Sequence, residues 1–154
     1  MTGHNPTDRS KLGSKRHILT DKDGIPLSTF ITSANTHDVT VATNTIDNIV
    51  IKRSSPSKYK HKQNLCLDKA YHSNEVEQEI IKRGYIPHIR HRREEEIKLL
   101  QKKHPARRWV VERTNSWHNR FRKLFTRYEK KNENYFGLVE LANSLIIYRR
   151  SILG

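Results

Sequence analysis

The sequence predicts an α/β domain built on a mixed sheet, and three observations carry that expectation. Segments 15–20 and 25–32 flank the turn formers Asp21-Lys22-Asp23-Gly24, the pattern of a β-hairpin. Two short apolar runs, 65–68 and 85–89, enclose an amphipathic segment, which is the strand–helix–strand order of a layered fold. Two longer segments with helical spacing, 106–125 and 135–152, close the chain.

Each element follows from local chemistry. Residues 1–14 are polar and rich in turn formers, so a loop lead-in is expected. Pro26 opens the second hairpin strand, where a missing N–H is tolerated. Val39, Ala42, Ile46 and Ile49/Val50 share one face of a helix expected over 38–50, with His37-Asp38 at its N-cap. Residues 52–64 form a basic loop. Leu65-Cys66-Leu67-Asp68 reads as a short buried strand ending in an acid, with Cys66 an inert buried thiol. A helix over 74–83 starts with Asn74 and Glu77 as a capping box and stops at Gly84; Val76, Ile80 and Ile81 form its apolar edge. Residues 85–89 form another strand.

Residues 90–105 are densely charged, with helical propensity over 94–103, and Pro105 permits a fresh helix start. One continuous helix is expected from Ala106 to Phe125, about 30 Å long. Val110, Thr114, Trp117, Phe121, Leu124 and Tyr128 trace its apolar stripe; Arg108, Glu112, Ser116, Asn119, Arg120 and Lys123 fall opposite. Trp109 and Trp117 are expected in the core. The last helix points Leu138, Leu141/Ala142, Leu145 and Tyr148 inward. The expected organisation is one partial catalytic domain: lead-in 1–14, core 15–128, C-terminal helix 129–154.

Formal net charge is +14, from 30 Lys+Arg against 16 Asp+Glu, which points to a polyanionic partner. From Lys98 to Lys131 there are 12 Lys/Arg and two acids, Glu112 and Glu129. One cysteine allows no internal disulfide and fits a reducing, cytoplasmic setting. No apolar run is long enough for a bilayer, and the N-terminus has no signal-peptide core, so no membrane partner is expected. His88 and His91 lie among arginines, and no zinc, P-loop or nucleophile-elbow pattern occurs.

The chemistry-bearing candidates are two acids. Glu112 is a lone carboxylate in a basic field, suited to holding a divalent metal beside a phosphate backbone or to pairing with neighbouring arginines on a solvated face. Asp68 ends a strand, where ligands collect in α/β sheets, although strand-end aspartates are also common turn acids. Their hard oxygens suit Mg²⁺ or Mn²⁺, and two acids are one short of a usual set.

The chain resembles the C-terminal part of the catalytic domain of DDE-class insertion-sequence transposases, which have a ribonuclease-H-like fold. The matching segments are Asn5-Pro6-Thr7-Asp8-Arg9, Gly13-Ser14-Lys15-Arg16-His17, Asp23-Gly24-Ile25-Pro26-Leu27, Ala34-Asn35-Thr36-His37-Asp38, Leu67-Asp68-Lys69-Ala70-Tyr71, and Arg108-Trp109-Val110-Val111-Glu112-Arg113-Thr114 through Trp117, Arg120 and Leu124. The resemblance implies that Asp68 and Glu112 are the second and third catalytic acids, together holding two Mg²⁺ (or Mn²⁺) ions with a first aspartate. It implies DNA contacts from Arg107, Arg108, Arg113, Arg120 and Lys123. Pro105 and Asn119 stand where the wider family's signature has a tyrosine and a lysine. The family's first aspartate lies on a central strand upstream of Gly13 and is not expected here, so the sheet is expected to lack that strand. The chain is then expected to be marginal and inactive alone, a second reading-frame product that joins an upstream half, binds element ends and target DNA, and works as a homo-oligomer in the bacterial nucleoid. The alternative is a non-catalytic basic nucleic-acid-binding protein or a decayed remnant.

Overall fold

The structure, a computed structural model, describes residues 2–6, 9–51, 62–89 and 108–153. The charged segment 90–105 with its helical stretch, Pro105, Arg107 and nearly all of the basic loop lie outside the described residues. Strands β1 (Gly3–His4), β2 (Leu12–Thr20) and β3 (Pro26–Ser33) form an antiparallel sheet in that order. Strand structure therefore enters the expected lead-in, and β2 starts at Leu12. The β2–β3 turn is wider than a two-residue hairpin. Asp21 Oδ1 accepts from the Asp23 and Ile25 amides at 2.9 and 2.8 Å, and Gly24 takes φ +80°. The aspartate closes the turn on its own backbone, and glycine supplies the left-handed residue.

The helix expected over 38–50 is shorter. A 3₁₀ turn, Asp38–Val41, leads into α1 (Ala42–Asp47). His37 gives no side-chain cap, and the Asp38 carboxylate instead accepts from Lys15 Nζ at 3.2 Å. Val50 leaves the helix because its amide bonds Leu27 O at 3.1 Å, on the outer edge of β3.

Strands β4 (Gln63–Leu67) and β5 (Tyr85–Ile89) pair in parallel through the crossover α2 (Asn74–Lys82). Ser73, not Asn74, is the N-cap of α2 and makes no side-chain bond, so the expected capping box is not formed. Gly84, at φ +81°, ends the helix as expected. Ala42, Ile46, Leu65, Val76, Ile80, Tyr85 and Ile89 form one core, and Leu19 of β2 packs against it. Arg83 clasps Asp47 with Nε and Nη2 at 2.7 and 2.8 Å, joining α2 to α1. Cys66 is exposed, contrary to expectation. Strand alternation turns Leu65 into the core and Cys66 to the opposite face.

The expected single long helix is two. Helix α3 (Arg108–Asn119) stops, Phe121 takes an extended conformation, and a short α4 (Arg122–Phe125) follows. The amides of Arg120 and Phe121 bond Trp117 O and His118 O, the tightened bonds of a helix end. The break lets Phe121 and Leu124 pack with Tyr135, Val139 and Ala142 of α5 (Asn132–Ser151) in a second core that includes Ile31 of β3. On α3 the buried positions are Val110, Thr114 and His118, and on α4 Leu124, while Tyr128 is exposed. Helix α5 is rotated from its expected face: Tyr135, Val139, Ala142, Asn143 and Ile146 are buried, whereas Leu141, Leu145 and Tyr148 are exposed. Asn143 turns it. Its Oδ1 accepts from His118 Nε2 and its Nδ2 donates to Thr29 Oγ1, both at 2.8 Å.

The overall class is mixed α/β. One point departs from a single mixed sheet: among the described residues, β2 and β4 are not paired with each other. Each leaves an open edge, and β1 covers only the Leu12–Gly13 end of β2.

Candidate metal and nucleic-acid site

Asp68 stands one residue past β4. Its carboxylate Oδ1 accepts from the Ala70 amide at 3.1 Å, and its carbonyl accepts from the Tyr71 amide at 3.0 Å, closing a 3₁₀ turn over Lys69–Tyr71. The acid thus does the turn work that its strand-end position suggests while sitting partly exposed at the carboxyl end of a parallel strand.

The turn meets β2 through side chains. The Tyr71 hydroxyl lies 3.1 Å from His17 Nδ1, and His17 Nε2 lies 2.9 Å from Thr32 Oγ1 on β3. His17 is 4 % exposed and Thr32 is 5 % exposed. Burial holds the imidazole below its ordinary pKa; Asp38 opposes that shift and Lys15 adds to it. Burial pushes the Tyr71 phenol up to about 12, with the carboxylates of Asp38 and Asp68 acting in the same direction. Tyr71 therefore remains a neutral hydroxyl between two acids. Lys15 Nζ closes this wall, donating to Thr36 O at 3.0 Å as well as to Asp38.

Glu112 is exposed on α3. Helix α3 is anchored through Arg113, Thr114 and Asn119. Thr114, fully buried, donates Oγ1 to Gly24 O at 2.6 Å, Arg113 donates Nη2 to Asp23 O, and Arg16 of β2 donates to Asn119 Oδ1 at 2.9 Å. The elements bearing both acids thus lean on β2, Asp68 through His17 and α3 through Arg16. Adjacent strand residues face opposite sides of a sheet. Among the described residues, no group of three or more His, Cys, Asp or Glu stands where it could hold an ion.

The cations divide. Arg120 and Lys123 are exposed, as are Arg122, Lys130, Lys131 and Arg149. Arg113 has partners within the protein. Its guanidinium lies 4.8 Å from the Trp109 ring and 5.2 Å from the Trp117 ring, and it holds the β2–β3 turn. Trp109, 54 % exposed, is correspondingly not a core residue, and Trp117 is half-buried. Arg107 and the Arg108 side chain lie outside what the structure describes.

Sequence reasoning missed Lys15, His17, Thr32, Asp38 and Tyr71 as parts of the Asp68 surroundings. They sit inside or beside the matched motif segments, so their positions were visible. Their contacts were not, because His17 and Tyr71 are 54 residues apart.

The family described as "Transposase DDE domain" matches residues 2–147. A "Putative transposase for insertion sequence element IS402" of Burkholderia cepacia is 37% identical over 148 residues, covering 96% of this chain and 68% of that relative. No solved structure matches the chain. With a family match over nearly its whole length, and a relative aligned through the segments that carry Asp68 and Glu112, the chain belongs to the DDE transposase family of insertion-sequence elements.

Proposed function

We propose that the chain carries out metal-dependent phosphoryl transfer on DNA as part of a transposase, with Asp68 and Glu112 as two ligands of the metal site. The observation that carries this is the pair of acids itself: an aspartate at the carboxyl end of a parallel strand and an exposed glutamate on a helix, both within the residues that the transposase family matches. Their chemistry fits the ion. Carboxylate oxygens are hard donors suited to Mg²⁺ or Mn²⁺, which bind through few carboxylates and keep several waters. A bound pair of such ions supplies nucleophile activation and stabilisation of the leaving oxygen. Exposed Arg120 and Lys123, with Arg107 and Arg108, hold the phosphate backbone, and Arg113 acts indirectly by fixing α3 and the turn.

The full set needs one more acid. The open edges of β2 and β4 suit a strand inserted between them, antiparallel to β2 and parallel to β4, which gives the ribonuclease-H-like sheet. In this reading the strand carries the third carboxylate and comes from outside the described residues, as an upstream half would supply it. The partners are then element ends, target DNA and further copies of the enzyme.

Glu112→Gln in the complete transposase tests the reading. Strand cleavage and transfer should be lost while DNA binding is retained, because the change removes a charge from the metal site and none from the phosphate contacts. Unchanged activity overturns the assignment. A protein with no Mg²⁺-dependent activity before the substitution is instead a basic nucleic-acid-binding remnant.

A further inference from the structure

We propose that His17, Thr32 and Tyr71 are positioning residues, a hydrogen-bonded strap that fixes the Asp68 turn against β2. The proposal rests on the reading of Asp68 as a metal ligand given above. No ladder joins β2 to β4 among the described residues, so backbone pairing does not set where the Asp68 turn stands relative to the hairpin. Side chains do. The Tyr71 hydroxyl meets His17 Nδ1 at 3.1 Å, and His17 Nε2 meets Thr32 Oγ1 at 2.9 Å. Both ring nitrogens are engaged in a buried site, so the imidazole is held at both ends and its orientation is fixed.

The coupling from strap to acid is short. Tyr71 is the last residue of the turn that Asp68 opens. The Tyr71 amide bonds Asp68 O at 3.0 Å, and the Ala70 amide bonds Asp68 Oδ1 at 3.1 Å. A shift of the tyrosine ring therefore moves the backbone carrying the carboxylate within one turn. The wall behind the ring is also tied down, since Lys15 holds both Asp38 and Thr36 O, and the Asp38–Val41 turn packs on the Lys69–Tyr71 turn. Hydroxyls at both ends suit this role, because each can donate or accept and so satisfies either imidazole tautomer. Replacing one end by an apolar isostere leaves a buried ring nitrogen bare.

The test uses the full chain, ¹⁵N-labelled, with Mn²⁺ alone as the probe. The Ala70 amide reports the Asp68 cap directly. Tyr71→Phe and Thr32→Val should shift this resonance and raise its hydrogen-exchange rate, whereas Thr32→Ser, which keeps the hydroxyl, should restore the wild-type signal. An Ala70 amide unchanged in Tyr71→Phe overturns the strap. If Tyr71→Phe fails to fold, the Thr32→Val and Thr32→Ser pair decides the question in the same way. Paramagnetic broadening around Asp68 should require about 10–100-fold more Mn²⁺ in Tyr71→Phe, the usual cost of losing a group that orients a ligand. Broadening that is absent from wild type, or unaffected by Asp68→Asn, counts against the metal reading alone; the Ala70 amide still decides the strap.

Discussion

His118 shows how a single buried side chain sets pH dependence. It is fully buried, its Nε2 is bonded to Asn143 Oδ1 at 2.8 Å, and its Nδ1 has no hydrogen-bond partner among the described residues. Since Oδ1 can only accept, Nε2 carries the proton and Nδ1 is a bare lone pair. Burial lowers the pKa from the ordinary 6.5; the Asn143 bond opposes the shift, and the Arg16 charge adds to it. A folded-state pKa below the unfolded one means that the unfolded chain binds the proton first. Stability from this group is therefore complete above 6.5 and is lost as pH falls through the folded value. Urea titrations from pH 7.5 downward should show that loss, and His118→Gln should flatten it; an equal slope in the variant contradicts the assignment. Asn143→Ala strips partners from both His118 and Thr29, and should cost about 1–3 kcal/mol for each group left bare. The exposed cations give a different signature. Arg120→Ala and Lys123→Ala should each reduce the salt slope of DNA binding by about 0.9 per phosphate contact, while Arg113→Ala should lower the melting temperature and leave that slope nearly unchanged. At this scale the strand-end place of Asp68 and the helical place of Glu112 were legible because the patterns that set them are local in sequence. The hold of Arg113 on the β2–β3 turn was not legible, because Asp23 becomes its neighbour only in the fold, whereas Trp109 and Trp117 lie one turn away on the same helix.

Among the elements, those with local causes were legible and those with distant causes were not. The hairpin, β5 and the stop at Gly84 follow from alternation and turn chemistry within a few residues. The break after α3 does not, because Phe121 and Leu124 leave the helix to join a core made with α5. The rotation of α5 has a similar origin in Asn143, a polar residue that an apolar stripe cannot include. The turn between β2 and β3 is the joint that holds α3, and two substitutions test it. Thr114→Val leaves Gly24 O without the 2.6 Å bond it accepts and should cost about 1–3 kcal/mol. Gly24→Ala forces a side chain into φ +80°, with its Cβ 3.1 Å from Arg113 Nη2 and Thr114 Oγ1, and should cost about 1–2 kcal/mol or more. Chemical denaturation measures both, and a neutral Thr114→Val would remove the anchor from the account.

For the whole molecule, composition set the expected partner and the motif order set the family, but the arrangement of sheets was legible only in part. The antiparallel hairpin and the parallel β4–β5 pair are both present, as the α/β pattern requires. Among the described residues no ladder joins β2 to β4, so how the two sheets relate does not follow from local strand patterning. The central claim is that acids from two separate elements, Asp68 and Glu112, serve one metal site. Iron-mediated backbone cleavage tests it most directly: Fe²⁺ is supplied in place of Mg²⁺ to the complete transposase, ascorbate and peroxide are added, and the cut sites are mapped by mass spectrometry. The account predicts cuts next to both Asp68 and Glu112, each suppressed by excess Mg²⁺ and both lost in either Asp68→Asn or Glu112→Gln. Cuts at only one acid, or cuts at both that survive the two substitutions, would contradict it.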